Sequence, residues 1–244
     1  MIPAPDGGGN LHRKREIAMF QGYTQGAIDF LWGLRLNNER SWFQAHKEEF
    51  TALVDRPTRE LAEQLREEMT EAFPGLGLEL KVSRIYRDAR RLFGRGPYKD
   101  HLWFSLRRPG EHDGQIPCFW FEVAADRYGY GMGCWEMLPS TMAKLRARIT
   151  RDPAAMEKLT KKLAGQAEFA LGTQDYKRPK AAAPTPALEP WFRARSFTLI
   201  HQDKLTEELF GREVVERVKT GWRFLLPYYD YFVTLDGDPD PDGT

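Results

Sequence analysis

The sequence predicts an α+β fold, in which an antiparallel sheet is flanked by N-terminal and C-terminal helices. Apolar residues recur at about 3.6-residue spacing in the first and last thirds of the 244 residues, and they alternate with polar residues in the middle third. The alternating segments follow one another after short connections, which favours antiparallel pairing. Helices, then strands, then helices are the order typical of this fold class.

The N-terminal third predicts three helices. The first begins at Thr24 as N-cap and ends at Asn37-Asn38, because asparagine tolerates the left-handed conformation that terminates helices. Ser41 is the predicted N-cap of the second helix. Pro57 is placed to open the third helix, and Pro74-Gly75 ends it.

The middle third predicts strands. The first covers residues 78–82 and is predicted to run on through 84–88, and further strands cover 102–106, 119–123 and 128–133. In the last of these, glycines alternate with aromatic residues. This pattern favours close approach of a neighbouring backbone or of a ligand, and a phosphate-binding loop is the alternative.

The last third returns to helices. Pro139 and Pro153 each open one, and the proline-rich residues 172–190 are predicted to form a long extended connection over the surface. After a short strand, a final helix starts at Thr206. Pro227 is expected to kink or end that helix, because proline lacks a backbone N–H.

These elements are predicted to form one domain over residues 19–235. Residues 1–18 are rich in Gly and Pro and precede Met19, so we expect a disordered leader, a tag remnant or a mis-started segment. Residues 236–244 contain four aspartates and are expected to be a disordered acidic tail.

Composition excludes several classes of protein. The 36 basic and 35 acidic residues give a net charge of +1, which excludes a wholly polybasic protein. No window approaches the roughly 18 apolar residues of a membrane span, and no secretory signal is present, so a soluble, cytoplasmic protein is expected. The two cysteines, Cys118 and Cys134, are expected to be buried thiols. They and the scattered histidines do not match the spacing of metal ligands, so no metal or cofactor is predicted.

The charge is unevenly distributed. Residues 81–108 hold nine basic and two acidic side chains, a net charge of +7. Arginine and lysine are the residues that bind phosphate and carboxylate groups. The sequence therefore predicts a cleft for an anionic ligand at one end of the sheet, formed by Arg84, Arg90, Tyr98, Lys99 and His101.

Additional residues are candidates for the same cleft. The weaker ligand-binding candidates are Asn38, Trp42, Gly131, Lys177 and Arg178. If the protein is an enzyme, which the sequence alone does not decide, Asp88 or His101 is the candidate general base.

Two alternatives stay open for the basic segment. One is a structural or protein-interaction domain in which ion pairs such as Arg84 with Asp88 lock the ends of strands together. The other is nucleic-acid binding, since aromatic residues alternate with the basic ones, although no recognised nucleic-acid motif accompanies them. The oligomeric state is not predicted.

Several stretches resemble the DUF2461 family (domain of unknown function 2461), a group of uncharacterised bacterial and fungal proteins. They are NNERSWF at 37–43, RIYRDAR at 84–90, PYKDH at 97–101, YGYGMG at 128–133, LRARI at 145–149 and the late YKRPKAAAPTP. The resemblance extends over residues 19–235 and implies an α+β domain with no agreed activity. Where the family usually has an acid and a lysine before PYK, this chain has Gly94, Arg95 and Gly96, so no role of that acid carries over.

Overall fold

The computed structural model describes residues 19–92, 94–109 and 116–241. One antiparallel sheet of six strands lies at its centre, in the order β1-β2-β3-β4-β6-β5. The strands are β1 (Glu79–Val82), β2 (His101–Arg107), β3 (Cys118–Ala124), β4 (Arg127–Cys134), β5 (Ala170–Asp175) and β6 (Ala194–Lys204). The α+β class is therefore confirmed, as is the antiparallel succession of the middle strands.

Helices precede and follow the strands. They are α1 (Gln25–Leu36), α2 (Arg40–Ala45), α3 (Lys47–Glu49), α4 (Arg56–Ala72), α5 (Pro139–Arg151), α6 (Pro153–Ala164), α7 (Glu189–Arg193) and α8 (Glu213–Val233). A π-helical segment, Phe50–Asp55, leads into α4. As predicted, Thr24 caps α1 through its side chain and Asn37 ends that helix. The second helix has Glu39 as its N-cap, so the prediction of Ser41 was wrong by two positions.

One face of the sheet forms the core with the helices. Alternate residues of β2 and β3, including Phe104, Phe119 and Phe121, are fully buried. Trp222 of α8 packs on this face, with its ring centroid 5.6 Å from that of Phe119 and 6.3 Å from that of Phe104. Each such side chain contributes about 1.5–3 kcal/mol of burial free energy, so these contacts fix the helices to one side.

The other residues of the same strands point to the opposite side. The strand register places five of them in one row across the sheet, and this row consists of Lys81, Ser105, Trp120, Gly131 and Ile200. We call this side of the sheet the open face. It presents polar residues, glycines and tryptophans in addition to Ile200, and it is therefore more polar than the face that forms the core.

In the last third one prediction was wrong, and of the kink or end expected at Pro227 the end was wrong. Residues 172–190 are not all extended connection, because Ala170–Asp175 forms the edge strand β5 beside β6. This strand is mostly exposed and lacks the apolar alternation that reveals a strand in sequence. Pro227 does not end α8, which continues to Val233 because Tyr228, Tyr229 and Phe232 beyond the proline are buried in the core.

The C-terminal chain is described as far as Pro241, beyond the predicted domain boundary at residue 235. Thr234–Gly237 forms a short 3-10 helix. Asp238 then accepts a hydrogen bond from Arg148 at 2.6 Å, and this bond lowers the pKa of the Asp238 carboxyl. The proposed leader, residues 1–18, and the last three residues lie outside the described parts of the chain.

Candidate functional site

A pocket of about 590 Å³ lies over the open face. Its lining consists of outward-facing residues of β1, β2, β3, β4 and β6, completed by Ile116, Trp135 and Glu136. This volume falls in the range of small-molecule sites, about 300–1,000 Å³. We therefore take this open-face pocket as the candidate functional site.

A column of three glycines runs along β4, and of these Gly129 lines the pocket. A Cβ atom on Gly129 would lie 2.9 Å from the carbonyl oxygen of His201, and one on Gly133 would lie 2.6 Å from the Cα of Thr198. One on Gly131 would collide with the carbonyl of Leu199. Strand β6 thus approaches β4 too closely for any side chain. The prediction of close backbone packing is confirmed, and the phosphate-loop alternative is wrong because these glycines lie within a strand.

Three tryptophans line the pocket. Trp103 and Trp120 lie on adjacent strands, and Trp135 follows β4 at the rim. Trp120 is only 7% exposed, whereas Trp135 is 39% exposed. The two rings meet edge to face, with centroids 5.9 Å apart and planes at 61°. Trp120 therefore supports Trp135, whose accessible surface is available to a ligand.

A cationic edge borders the pocket at β1 and β2. Lys81 and Arg107 both line the pocket. Burial lowers the pKa of the Lys81 amine, and the positive charges of Arg107 and Arg84 lower it further. Cations that repel one another in this way raise the electrostatic potential around them, which favours the approach of an anion.

Lys99 extends the same edge. Its ammonium lies 5.6 Å from the centre of the Trp103 ring and donates a 2.6 Å hydrogen bond to the carbonyl of Arg84. Burial lowers the pKa of Lys99, as do the neighbouring charges of Arg87 and Arg84. Lys99 therefore adds positive charge beside a pocket wall, although part of its hydrogen-bonding capacity is used by the backbone.

His101 stands at another part of the wall, between two carboxylates. Its Nδ1 lies 3.3 Å from Asp100, and its Nε2 lies 3.8 Å from Glu122. Arg35 of α1 donates a 2.6 Å hydrogen bond to Asp100, and Arg127 pairs with Glu122 at 3.4 Å. Burial is the largest single effect on the Asp100 carboxyl and acts to raise its pKa, but the hydrogen bonds from Arg35, from the backbone and from His101, together with the charge of Arg35, outweigh it and the net pKa is lowered.

The structure brings only part of the predicted cleft together. His101 lines the pocket and Lys99 lies beside it, whereas Arg84 and Arg90 are exposed outside the lining. Asp88 binds Arg90 at 2.9 Å, so the predicted ion pair of Arg84 with Asp88 was wrong. The reason is that β1 ends at Val82, so the strand alternation that was extended to Arg84 does not apply.

Tyr98 belongs to a different region. It borders a second pocket of about 280 Å³ with Arg40 and Arg87, and its ring stacks on Phe43 at 4.2 Å. Asn38 forms two hydrogen bonds of 2.9 Å to the backbone N–H and C=O of Tyr98. The amide of Asn38 therefore holds the PYK segment in place and is not directed at the open-face pocket.

The other weaker candidates are dispersed. Trp42 stacks on His46 with centroids 4.1 Å apart. Lys177 and Arg178 are exposed after β5 and do not line the open-face pocket. Gly131 pairs with Trp120 and Ile200, which line the pocket, but Gly131 itself is not part of the lining.

The sequence interpretation missed Lys81, Trp120, Trp135 and Gln202 as site residues, although all four line the pocket. A signal for two of them was present. Lys81 in β1 and Trp120 in β3 occupy outward positions that alternate with core residues. An outward position usually carries a polar residue, so the tryptophan at 120 could have indicated a binding surface.

The remaining chemistry is limited. Among the residues that the structure describes, no group of three or more His, Cys, Asp or Glu side chains is placed to hold a metal ion. Both cysteines are buried thiols, and burial raises the pKa of Cys134 to about 12. Within residues 19–92, 94–109 and 116–241, no helix has the length and apolar character needed to cross a membrane.

Fold and site together define an α+β protein whose helices cover one face of an antiparallel sheet and leave a pocket on the other. The chain belongs to the DUF2461 family of conserved hypothetical proteins, whose family model matches residues 26–231. This match confirms the resemblance drawn from the motifs. A comparison with curated proteins finds no match.

Proposed function

We propose that the open-face pocket binds a small organic anion that carries a flat ring. The observation that supports this most strongly is that three basic side chains, Lys81, Arg107 and Arg127, line the same 590 Å³ pocket as three tryptophans. The proposal keeps the anionic ligand inferred from the sequence. It moves the centre of the site from Arg84 and Arg90 to Lys81 and Arg107.

The anionic group of the ligand is assigned to the cationic edge. Arg107 offers the planar, bidentate geometry that suits carboxylate and phosphate, and Lys81 adds a compact charge on the neighbouring strand. Burial disfavours the charged form of Lys81, and repulsion from the positive charges of Arg107 and Arg84 adds to this effect. A bound anion relieves that repulsion, so binding gains free energy from both contacts and screening.

The ring is assigned to the tryptophans and to Gly129. Aromatic side chains stack on flat rings with about 0.5–1.5 kcal/mol beyond the burial of area. Of the glycines in the column, Gly129 lines the pocket and adds no side chain of its own beside Trp120. His101, the general-base candidate that lines the pocket, faces this space, whereas Asp88 does not.

The experiment measures binding to the full chain with phenyl phosphate as probe, by tryptophan fluorescence and by thermal unfolding. Phenyl phosphate is expected to bind more tightly than inorganic phosphate or phenol, because each of these lacks one of the two recognised groups. Lys81→Gln should weaken phenyl phosphate at least about tenfold, since loss of a charged hydrogen bond costs about 1.5–3 kcal/mol.

Lys177→Gln and Arg90→Gln are the matched controls, because both remove an exposed cation outside the pocket. Both should leave the dissociation constant of phenyl phosphate unchanged. Equal affinities for the Lys81→Gln variant and the parent protein would contradict the proposal. Absence of any binding up to millimolar phenyl phosphate would favour a structural or protein-interaction role.

A further inference from the structure

We infer that the ligand of the open-face pocket is a purine mononucleotide, with its phosphate at the cationic edge and its base at the far end of the pocket, beside Gly129, Gln202 and Trp135. This inference rests on the proposed function and names the class of ligand within it. It is supported by the length of the pocket and by the order in which basic, small, aromatic and amide side chains follow one another across the sheet.

The pocket is long relative to a simple aromatic acid. The row from Lys81 through Ser105, Trp120 and Gly131 to Ile200 crosses five strands. Neighbouring strands lie about 4.8 Å apart, so the row extends for about 19 Å. A ligand that reaches from the cationic edge to the floor over β4 and β6 therefore needs a linking unit between its anionic group and its ring.

The middle of the row has room and polar groups for such a unit. Ser105 is the only residue of the row between Lys81 and Trp120, and its small side chain leaves space above β2. Glu122 lines the pocket nearby, and its Oε2 lies 3.8 Å from His101, beyond hydrogen-bond distance. A carboxylate oxygen at this position suits the hydroxyl groups of a ribose, which are hydrogen-bond donors.

The far end suits a base with both donors and acceptors. Gln202 lies opposite Gly129, and Thr198 lies opposite Gly133, so an amide and a hydroxyl flank the two ends of the glycine column. Both line the pocket. A glutamine amide pairs a donor with an acceptor, which matches the edge of adenine. Trp135, exposed at the rim, supplies a ring on which the base stacks.

The same residues argue for a single nucleotide over a nucleic-acid strand. The volume of about 590 Å³ is that of a small-molecule site. Glu122 and Glu136 lie in the lining together with the cations. A polymer with one phosphate for each nucleotide would bring further negative charges to these carboxylates, whereas a monophosphate places its charge at the cationic edge alone.

The test compares 5′-AMP, adenosine, ribose 5-phosphate and phenyl phosphate by isothermal titration calorimetry on the full chain. We expect 5′-AMP to bind at least about tenfold more tightly than each of the other three. Gln202→Leu should weaken 5′-AMP about tenfold and leave ribose 5-phosphate unchanged. Gln174→Leu is the matched control, because Gln174 is an exposed glutamine of β5 outside the lining.

The outcomes separate this inference from the proposed function. If phenyl phosphate binds in a Lys81-dependent manner but 5′-AMP binds no more tightly, the nucleotide class is overturned and the proposed function stands. If none of the four compounds binds, both are overturned. If a single-stranded oligonucleotide of about twelve residues binds more tightly than 5′-AMP with steep salt dependence, the ligand is a nucleic acid and the mononucleotide inference is overturned.

Discussion

The two faces of the sheet are built from the same strands and have opposite characters. On the helix-covered face, Phe104, Phe119 and Phe121 are fully buried against the helices. On the open face, Trp103 and Trp120 alternate with them and border a pocket. Because successive side chains of a strand point in opposite directions, one segment of sequence serves both faces. The difference lies in what each aromatic residue packs against.

The residues on the two faces are therefore under separate structural constraints. The helix-covered face must fill volume, because a missing methylene group there leaves a cavity. The open face borders a pocket, and along it β6 packs so closely beside β4 that only glycine fits at the positions of the column. Stability and ligand binding are thus expected to respond to different substitutions, and three predictions test that separation.

The largest effect is expected from tryptophans on opposite faces. Trp222→Ala on the helix-covered face should lower the free energy of unfolding by about 3–5 kcal/mol, because a fully buried ring leaves a cavity between Phe104 and Phe119. Trp135→Ala on the rim should lower it by no more than about 1 kcal/mol. Urea denaturation measures both values. Similar losses for the two variants would break the distinction between the faces.

An intermediate effect is expected in the glycine column, where the open face meets the packing of the sheet itself. Gly131→Ala should lower the free energy of unfolding by about 1–3 kcal/mol, because the added Cβ meets the carbonyl of Leu199 on β6. Gly75→Ala is the control, since its Cβ would have no heavy atom within 4 Å. If Gly131→Ala has the same free energy of unfolding as the parent protein, β4 and β6 can move apart at little cost and the prediction is wrong.

The smallest effect concerns acid stability at Asp100, which joins the two faces. Burial is the largest single effect and acts to raise the pKa of the Asp100 carboxyl, but the hydrogen bonds from Arg35, the backbone and His101, with the charge of Arg35, together hold that pKa below its usual range. A carboxyl with a lowered folded-state pKa stabilises the protein above its unfolded pKa of about 3.9, and this stabilisation is lost as the pH falls further.

Asp100→Asn should therefore make the free energy of unfolding less dependent on pH below about 4 than in the parent protein. Asp29→Asn is the matched control, because Asp29 accepts a hydrogen bond from Gln25 on the exposed surface of α1. Thermal unfolding between neutral and acidic pH measures the slopes. Equal slopes for the parent and Asp100→Asn would remove Asp100 from the acid response.

The sequence predicts the elements well where burial imposes a period. The strands of the middle third were predicted because Phe104 and Phe121 alternate with polar or outward residues. The edge strand β5 was missed because exposure on both sides removes the alternation. The helix does not end at Pro227, because the aromatic residues beyond the proline gain burial that offsets the lost backbone hydrogen bond.

The site was harder to predict, because charge density alone does not specify direction. The net charge of residues 81–108 pointed to the edge of the sheet that borders the open-face pocket, and His101 and Lys99 lie at or beside that pocket. Arg90 has 88% of its side chain exposed and pairs with Asp88. Only the position at which β1 ends separates Lys81, which lines the pocket, from Arg84, which does not. No local pattern marks that position.

The strand order has a consequence for how the protein is made. Strand β6 pairs with every residue of β4. In the sequence, however, β6 follows β4 only after α5, α6, β5 and α7. During synthesis, the ribosome must therefore release most of the C-terminal chain before β4 gains its second neighbour. Until then, the glycine strand is a temporary sheet edge with unpaired backbone groups, which makes nascent chains that stall before residue 194 vulnerable to intermolecular pairing.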